Sequence, residues 1–146
     1  MSERLSAALT DDHRRCDRLL ASLERVADGG DWDLVEREAG VFRDAMEHHF
    51  RFEEDLLFPE LEDRLPMAAG PTGVMRTEHR QMRHMLEELA AAVSGRSARD
   101  ALGVLETLHL VIQQHNAKEE GILYPLADRA LTAQAAALLA QWGGDR

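Results

Sequence analysis

The sequence predicts an all-α protein, an up-down-up-down four-helix bundle with a short extra C-terminal helix. Three observations predict it. Apolar residues recur at steps of three and four along four stretches, the period of helices with one buried face. Glycine- and proline-bearing breaks separate the stretches, and the short connections favour antiparallel neighbours. No alternating β-branched run competes with this reading. With 146 residues, 45% of them hydrophobic, the chain can fill one core but not two, so a single domain over residues 1–146 is expected.

The first stripe is Leu9, His13, Cys16, Leu20, Leu23 and Ala27, with Thr10 or Asp11 available as a cap. Gly29 and Gly30 end it. The second opens at Asp31, carries Val35, Ala39, Phe42, Met46, His49, Glu53 and Leu56, and runs to about Arg64. Pro59 lies inside it and is expected to bend it or weaken a turn, because proline offers no amide hydrogen to the carbonyl four residues back. The segment 66–73, with two prolines and two glycines, reads as the connection between halves. A third stripe comes next, Met75, His79, Met82, Leu86, Leu89 and Val93, closed by Ser94 and Gly95. Ser97 can cap the fourth, whose stripe is Ala101, Leu105, Leu108, Ile112, His115, Glu119 and Ile122. Beyond Pro125, a run with Leu131, Leu138, Leu139 and Trp142 supplies the short terminal helix.

The halves repeat. HFRFEEDLLFP from His49 and HNAKEEGILYP from His115 share a histidine, two glutamates, an aromatic ring and a proline in register. The same offset of 66 residues carries His13 in DHRR onto His79 in EHRQ. Residues i and i+4 share a helix face, so His49 with Glu53, and His115 with Glu119, each direct an imidazole and a carboxylate to one point.

All six recurring residues, His13, His49, Glu53, His79, His115 and Glu119, fall on apolar stripes and therefore face the core. Burying an uncompensated carboxylate costs several kcal/mol. Two facing each other require positive charge between them, and no Lys or Arg shares the stripes beside them. A metal pair supplies that charge. Four imidazoles and two carboxylates without a thiolate suit iron, manganese or zinc, and six ligands exceed what one tetrahedral zinc can use. Two ions fit best: His13 and His49 on one, His79 and His115 on the other, Glu53 and Glu119 bridging. That leaves room for a bridging oxo or hydroxo group and an exchangeable position.

On these motifs the chain resembles the hemerythrin-like, or HHE cation-binding, domains along nearly its whole length. The resemblance implies a non-haem di-iron centre in a four-helix bundle, reactive toward dioxygen, nitric oxide or hydrogen peroxide. The oxygen-carrying hemerythrins have a fifth histidine on the third helix where this chain has Arg83, and an aspartate five residues after the fourth-helix histidine where it has Glu119 at four. Both departures point away from reversible oxygen storage. They are similar to bacterial relatives with four histidines and two glutamates, including iron-centre repair proteins, and to eukaryotic iron-sensing domains.

The remaining candidates read as supporting or solvated groups. His84 lies about 140° around the helix from His79 and reads as surface, as do His48 and His109. Glu106 with His109 forms a single E-x-x-H, short of the two pairs a ferritin-like centre needs. Asp17 and Arg83 read as solvated flanks, the alternative being a pair lining the pocket; Glu54 and Glu120 as acceptors outside the ligand set or surface charges; Tyr124 as a plug at the bundle end, the alternative being a hydroxyl that reaches the centre; and Cys16 as small core filler.

Net charge of −10 argues against nucleic acid or an anionic membrane surface as partner. The single cysteine precludes an intramolecular disulfide, and with no apolar run long enough for export or spanning, a cytoplasmic location is expected. No catalytic acid or base stands out, so the expected partner is a small diatomic or peroxide ligand, the electron donor is unknown, and peroxide- or nitric-oxide-reactive activity is one outcome. An iron sensor, store or donor is the alternative, and a structural bundle with inert zinc the third.

Overall fold

The computed structural model describes residues 3–143, so the extremes of the expected domain, 1–2 and 144–146, lie outside the described residues. All regular structure among the described residues is helical. No helix among them is long and apolar enough to cross a membrane.

Helix α1 (Leu5–Ala27) begins earlier than its expected caps. Leu5, Ala8 and Leu9 extend the apolar stripe and are fully buried, and that burial draws in more than a turn ahead of Thr10 and Asp11. Arg4 takes the cap position without a side-chain bond. Gly30, at φ +84°, turns the chain through a region glycine visits without steric cost. Helix α2 (Trp32–Phe52) is capped by Asp31, whose side chain accepts from the Leu34 amide.

A π turn, Glu53–Leu57, then leads into α3 (Phe58–Arg64). Its counterpart, Glu119–Leu123, joins α5 (Ala98–Lys118) to α6 (Tyr124–Ala130). In each, an amide five residues on closes the ring: Phe58 N–H donates to the Glu53 carbonyl, and Tyr124 N–H to that of Glu119. Of the bend or weakened turn expected at Pro59, this widening is the second. Pro59 and Pro125 come to rest at the start of the next helical segment, where no amide hydrogen is required. The inserted residue also rotates the next turns of each helix. Leu57 and Leu123 are buried, whereas Ile122, expected on the stripe, is 58% exposed, and Leu56 is only half-buried.

The expected connection at 66–73 is shorter than its composition implies. Pro66–Ala68 forms a 3₁₀ turn, and α4 (Ala69–Ser94) already includes Gly70, Pro71 and Gly73. Pro71 is tolerated because the first turn of a helix has amides without intrahelical acceptors. Ser97 caps α5 by accepting from the Asp100 amide. Leu131 lies in a turn ahead of the terminal helix α7 (Ala135–Gly143).

Packing closes a ring: α1 on α2, α2 on α4, α4 on α5, and α5 on α1, with α6 and α7 also against α1. The interior is layered. One apolar cluster holds Leu20, Leu23, Phe42, Leu89 and Leu105. The other holds Leu5, Leu9, Phe58, Tyr124 and Trp142. Between them lies a polar layer at the level of residues 12–13, 49–54, 78–79 and 115–120.

Phe42 is fully buried within the first apolar cluster. Phe42→Ala is expected to destabilise the fold by about 3–5 kcal/mol, read as a lower midpoint in denaturant unfolding of the cation-free protein.

Candidate metal centre

The polar layer contains all six residues singled out by the repeat. His13, His49, Glu53, His79, His115 and Glu119 are each at most 5% exposed. They converge as two overlapping donor groups, Glu53, His79, His115 and Glu119 in one, and His13, His49 and Glu119 in the other, with ligand atoms within 4.8 Å of one another. Each carboxylate faces both groups. Glu53 Oε1 lies 3.2 Å from His79 Nε2 and 3.5 Å from His49 Nε2. Glu119 Oε1 lies 3.0 Å from His13 Nε2, and its Oε2 3.2 Å from His115 Nε2.

Four of these atoms have no hydrogen-bond partner: Glu53 Oε1, Glu119 Oε2, His79 Nε2 and His115 Nε2. The 3.2 Å approaches among them are close enough for attraction but wrongly directed for hydrogen bonds. Orphaned buried polar atoms are rare and costly. Four of them, two nitrogens and two oxygens, all in one donor group, fit a cation.

Behind every imidazole stands a further carboxylate, outside the six converging residues. Nδ1 of His49 donates to Asp12 Oδ2 at 2.8 Å, and Nδ1 of His115 to Glu78 Oε1 at 2.8 Å. Nδ1 of His79 donates to Glu54 Oε2 at 2.6 Å, and Nδ1 of His13 to Glu120 Oε2 at 2.7 Å. An ionised carboxylate can only accept, so a proton resides on each Nδ1 and Nε2 points inward, its lone pair available whenever the imidazole is neutral. The four partners obey the same 66-residue offset. Asp12 and Glu78, preceding His13 and His79, hold His49 and His115 of the next long helix, and Glu54 and Glu120, following Glu53 and Glu119, hold His79 and His13.

Three of the four carboxylates are backed by cations. Arg15 Nε donates to Asp12 at 2.8 Å, Lys118 bonds Glu78, and Arg83 forks onto Glu54 and Glu47. Arg83, expected on a solvated flank, therefore buttresses His79, and its guanidinium lies over the Phe50 ring. Asp17 instead accepts from Gln113. Burial would raise the Asp12 carboxyl, but His49 and Arg15 outweigh it and hold it at about 2. Glu54 is likewise held at about 2, burial being outweighed by His79 and Arg83. Burial opposes charge on His79, yet Glu53 and Glu54 raise it to about 9. His49 and His115 are raised for the same reason, with Glu53 acting on the first and Glu119 on the second.

For Tyr124 the structure favours the alternative of a hydroxyl reaching the centre over that of a plug. It is fully buried, and its hydroxyl lies 2.7 Å from Glu53 Oε2, 2.9 Å from Glu119 Oε1, 3.0 Å from His13 Nε2 and 3.2 Å from His49 Nε2. Five residues after Glu119, an α-helix would put it about 140° away; the π turn brings it back over Glu119. His48 also differs from its expected solvated position, accepting from Trp142 Nε1 at 3.1 Å. His84 is on the surface beside Glu88, and His109 is exposed, as expected. Cys16 lines a small cavity beside the imidazoles, and burial pushes its thiol up to about 11, leaving it protonated and a poor ligand.

The family described as Hemerythrin HHE cation binding domain matches residues 4–127. The chain belongs to that family. No curated protein and no solved structure matches it. This HHE domain is thus a cation-binding one, and its buried histidines and glutamates can hold the cation. The donor set suits the iron, manganese or zinc expected from the sequence, with the buried thiol outside both donor groups.

The geometry of the HHE domain makes two outcomes expected. Its carboxylate–imidazole pairs orient the ligand nitrogens, so Glu54→Gln or Glu78→Gln should weaken cation affinity by about 10–100-fold, measured by competition with a chelator. His79 has a folded value of about 9 against 6.5. Its protonated form therefore stabilises the cation-free fold fully below about pH 6.5, and that contribution disappears as pH rises through about 9. Cation affinity should move oppositely, rising over the same window as the competing proton leaves. Thermal unfolding of chelated protein and cation titration across that window check both signs.

Proposed function

We propose that this chain holds two iron ions, one between His13 and His49 and one between His79 and His115, bridged by Glu53 and Glu119, and that the centre reacts with a small oxidant: dioxygen, nitric oxide or hydrogen peroxide. The observation that carries this reading is the set of four buried donor atoms without partners, in a layer where both carboxylates face both histidine pairs. The hemerythrin HHE match over residues 4–127 supports iron as the cation. The layering supports an up-down-up-down bundle in one domain: successive long helices meet the two apolar clusters in alternating order along the chain.

Bound iron would supply reversible electron transfer and Lewis acidity toward the oxidant. The protein's own groups prepare for it. Four Nε2 lone pairs are held inward by Nδ1–carboxylate bonds, and the carboxylates Glu53 and Glu119 balance the charge. Met46, Phe50, Met82 and Ile112 wall a cavity of about 10 Å³ beside His13, His49 and His115, room for about one water-sized molecule. Such a cavity is too small for an organic substrate. The buried, unpaired Cys16 suits a reducing cytoplasm.

The same orphaned atoms favour a second reading, an iron sensor, store or donor, because loss of the cation would leave the layer uncompensated and loosen the fold. One sample separates the readings. Protein made in iron-replete medium should contain about two irons per chain, given six donors in two groups, and its visible spectrum should change on adding peroxide or nitric oxide or on exposing the reduced form to air. A spectrum indifferent to all three transfers the assignment to sensing or storage. Iron below about one per chain returns the bundle to a structural role.

A further inference from the structure

The two donor groups are not equivalent, and one difference between them is a phenolic oxygen. The repeat places Phe58 where the second half has Tyr124. Phe58 packs its ring toward His79, 6.0 Å between centroids, and brings no polar atom to the Glu53, His79, His115, Glu119 group. All four orphaned atoms belong to that group. The other group has the Tyr124 hydroxyl, within 3.2 Å of His13 Nε2, His49 Nε2, Glu53 Oε2 and Glu119 Oε1.

Those four separations resemble ligand–ligand spacing more than ordinary hydroxyl satisfaction. One phenolic proton can serve one acceptor, yet two carboxylate oxygens and two imidazole nitrogens crowd the oxygen. Ligands at right angles around an ion, each about 2.1 Å from it, are about 3 Å apart, and every corner of an octahedron has four such neighbours. The hydroxyl stands to its four neighbours as one corner does to the adjacent four.

Building on the two-iron reading, we propose that Tyr124 is a seventh donor, to the ion held by His13, His49 and Glu119, and that it makes the two ion positions chemically unequal. Coordination exchanges the phenolic O–H bond for an oxygen–metal bond and releases the proton to water, with no electron transferred. The π turn Glu119–Leu123 is what makes this donor available, because its five-residue ring sets Tyr124 over Glu119. The position held by His79 and His115 has no such oxygen and keeps the exchangeable coordination site.

The test uses the full chain loaded with ferrous iron and oxidised in air. Iron is counted on the sample that gives the visible and resonance Raman spectra. The expected result is a visible phenolate-to-iron(III) absorption whose excitation enhances tyrosine ring modes. Tyr124→Phe, which places in the second half the ring that the first half already carries, should lose both the band and the modes. It should retain the first iron and bind the second about 10–100-fold more weakly. Wild-type protein holding two irons without phenolate modes overturns the assignment while leaving the two-iron reading intact, as does a Tyr124→Phe variant that keeps the band. Wild-type protein that takes up no iron overturns the two-iron reading itself and this assignment with it.

Discussion

Two carboxylates, Glu53 and Glu119, are withdrawn completely from water in the middle of this bundle, and the surrounding architecture answers to their charge. Desolvating such groups costs several kcal/mol each unless charge and hydrogen bonds compensate. Four imidazoles face them, and the charged side chains Arg15, Arg83 and Lys118 stand one layer farther out, behind the outer carboxylates. Glu53 is consequently held well below the usual carboxylate range, burial being outweighed by His49 and His79. In the absence of a cation the layer balances its charge by protonating histidine. A cation exchanges for those protons, which couples its binding to pH and to the stability of the fold.

The position of this layer is set by the apolar clusters on either side of it. Along each long helix and its continuation, apolar residues of one cluster precede the ligand-type residues and those of the other follow, so packing the two clusters fixes the height of every imidazole. Rigid helices set the donors more accurately than loops would. The paired carboxylates then lock the ring orientations. One partner is different: Glu120, which holds His13, has no basic side chain behind it among the described residues, unlike the other three. Together with the contrast between Phe58 and Tyr124, this makes the half of the layer around His13 unlike the half around His79, although the sequence repeat relates them.

The two π turns connect backbone to chemistry. Each begins at an inward-facing glutamate and ends just before an aromatic ring and a proline. A proline in an uninterrupted helix would leave a carbonyl without a donor; the wider turn moves it to a position where that loss is harmless. The added residue also swings the aromatic ring into the core, closing the polar layer from below with Phe58 and Tyr124, both fully buried. Fold and site thus share one device.

Much of the protein was legible from residue spacing. The i, i+4 pairs, the 66-residue offset and the helical period located the long helices, the Asp31 and Ser97 caps and the six converging residues, because these are consequences of a 3.6-residue repeat within single helices. Spacing could not show which carboxylate meets which imidazole, since Asp12–His49, Glu78–His115, Glu54–His79 and Glu120–His13 all join different helices. Nor could it tie Arg83 to Glu54 or seat His48 against Trp142. The register beyond Glu53 and Glu119 was misjudged at Leu56 and Ile122, and the choice between two readings of Tyr124 was left to the structure, because a five-residue hydrogen-bonded ring departs from the α period on which spacing depends. Sequence alone determined which side chains must leave water together. Only tertiary structure decided how their charges are divided, because that depends on distances between helices that local periodicity does not encode.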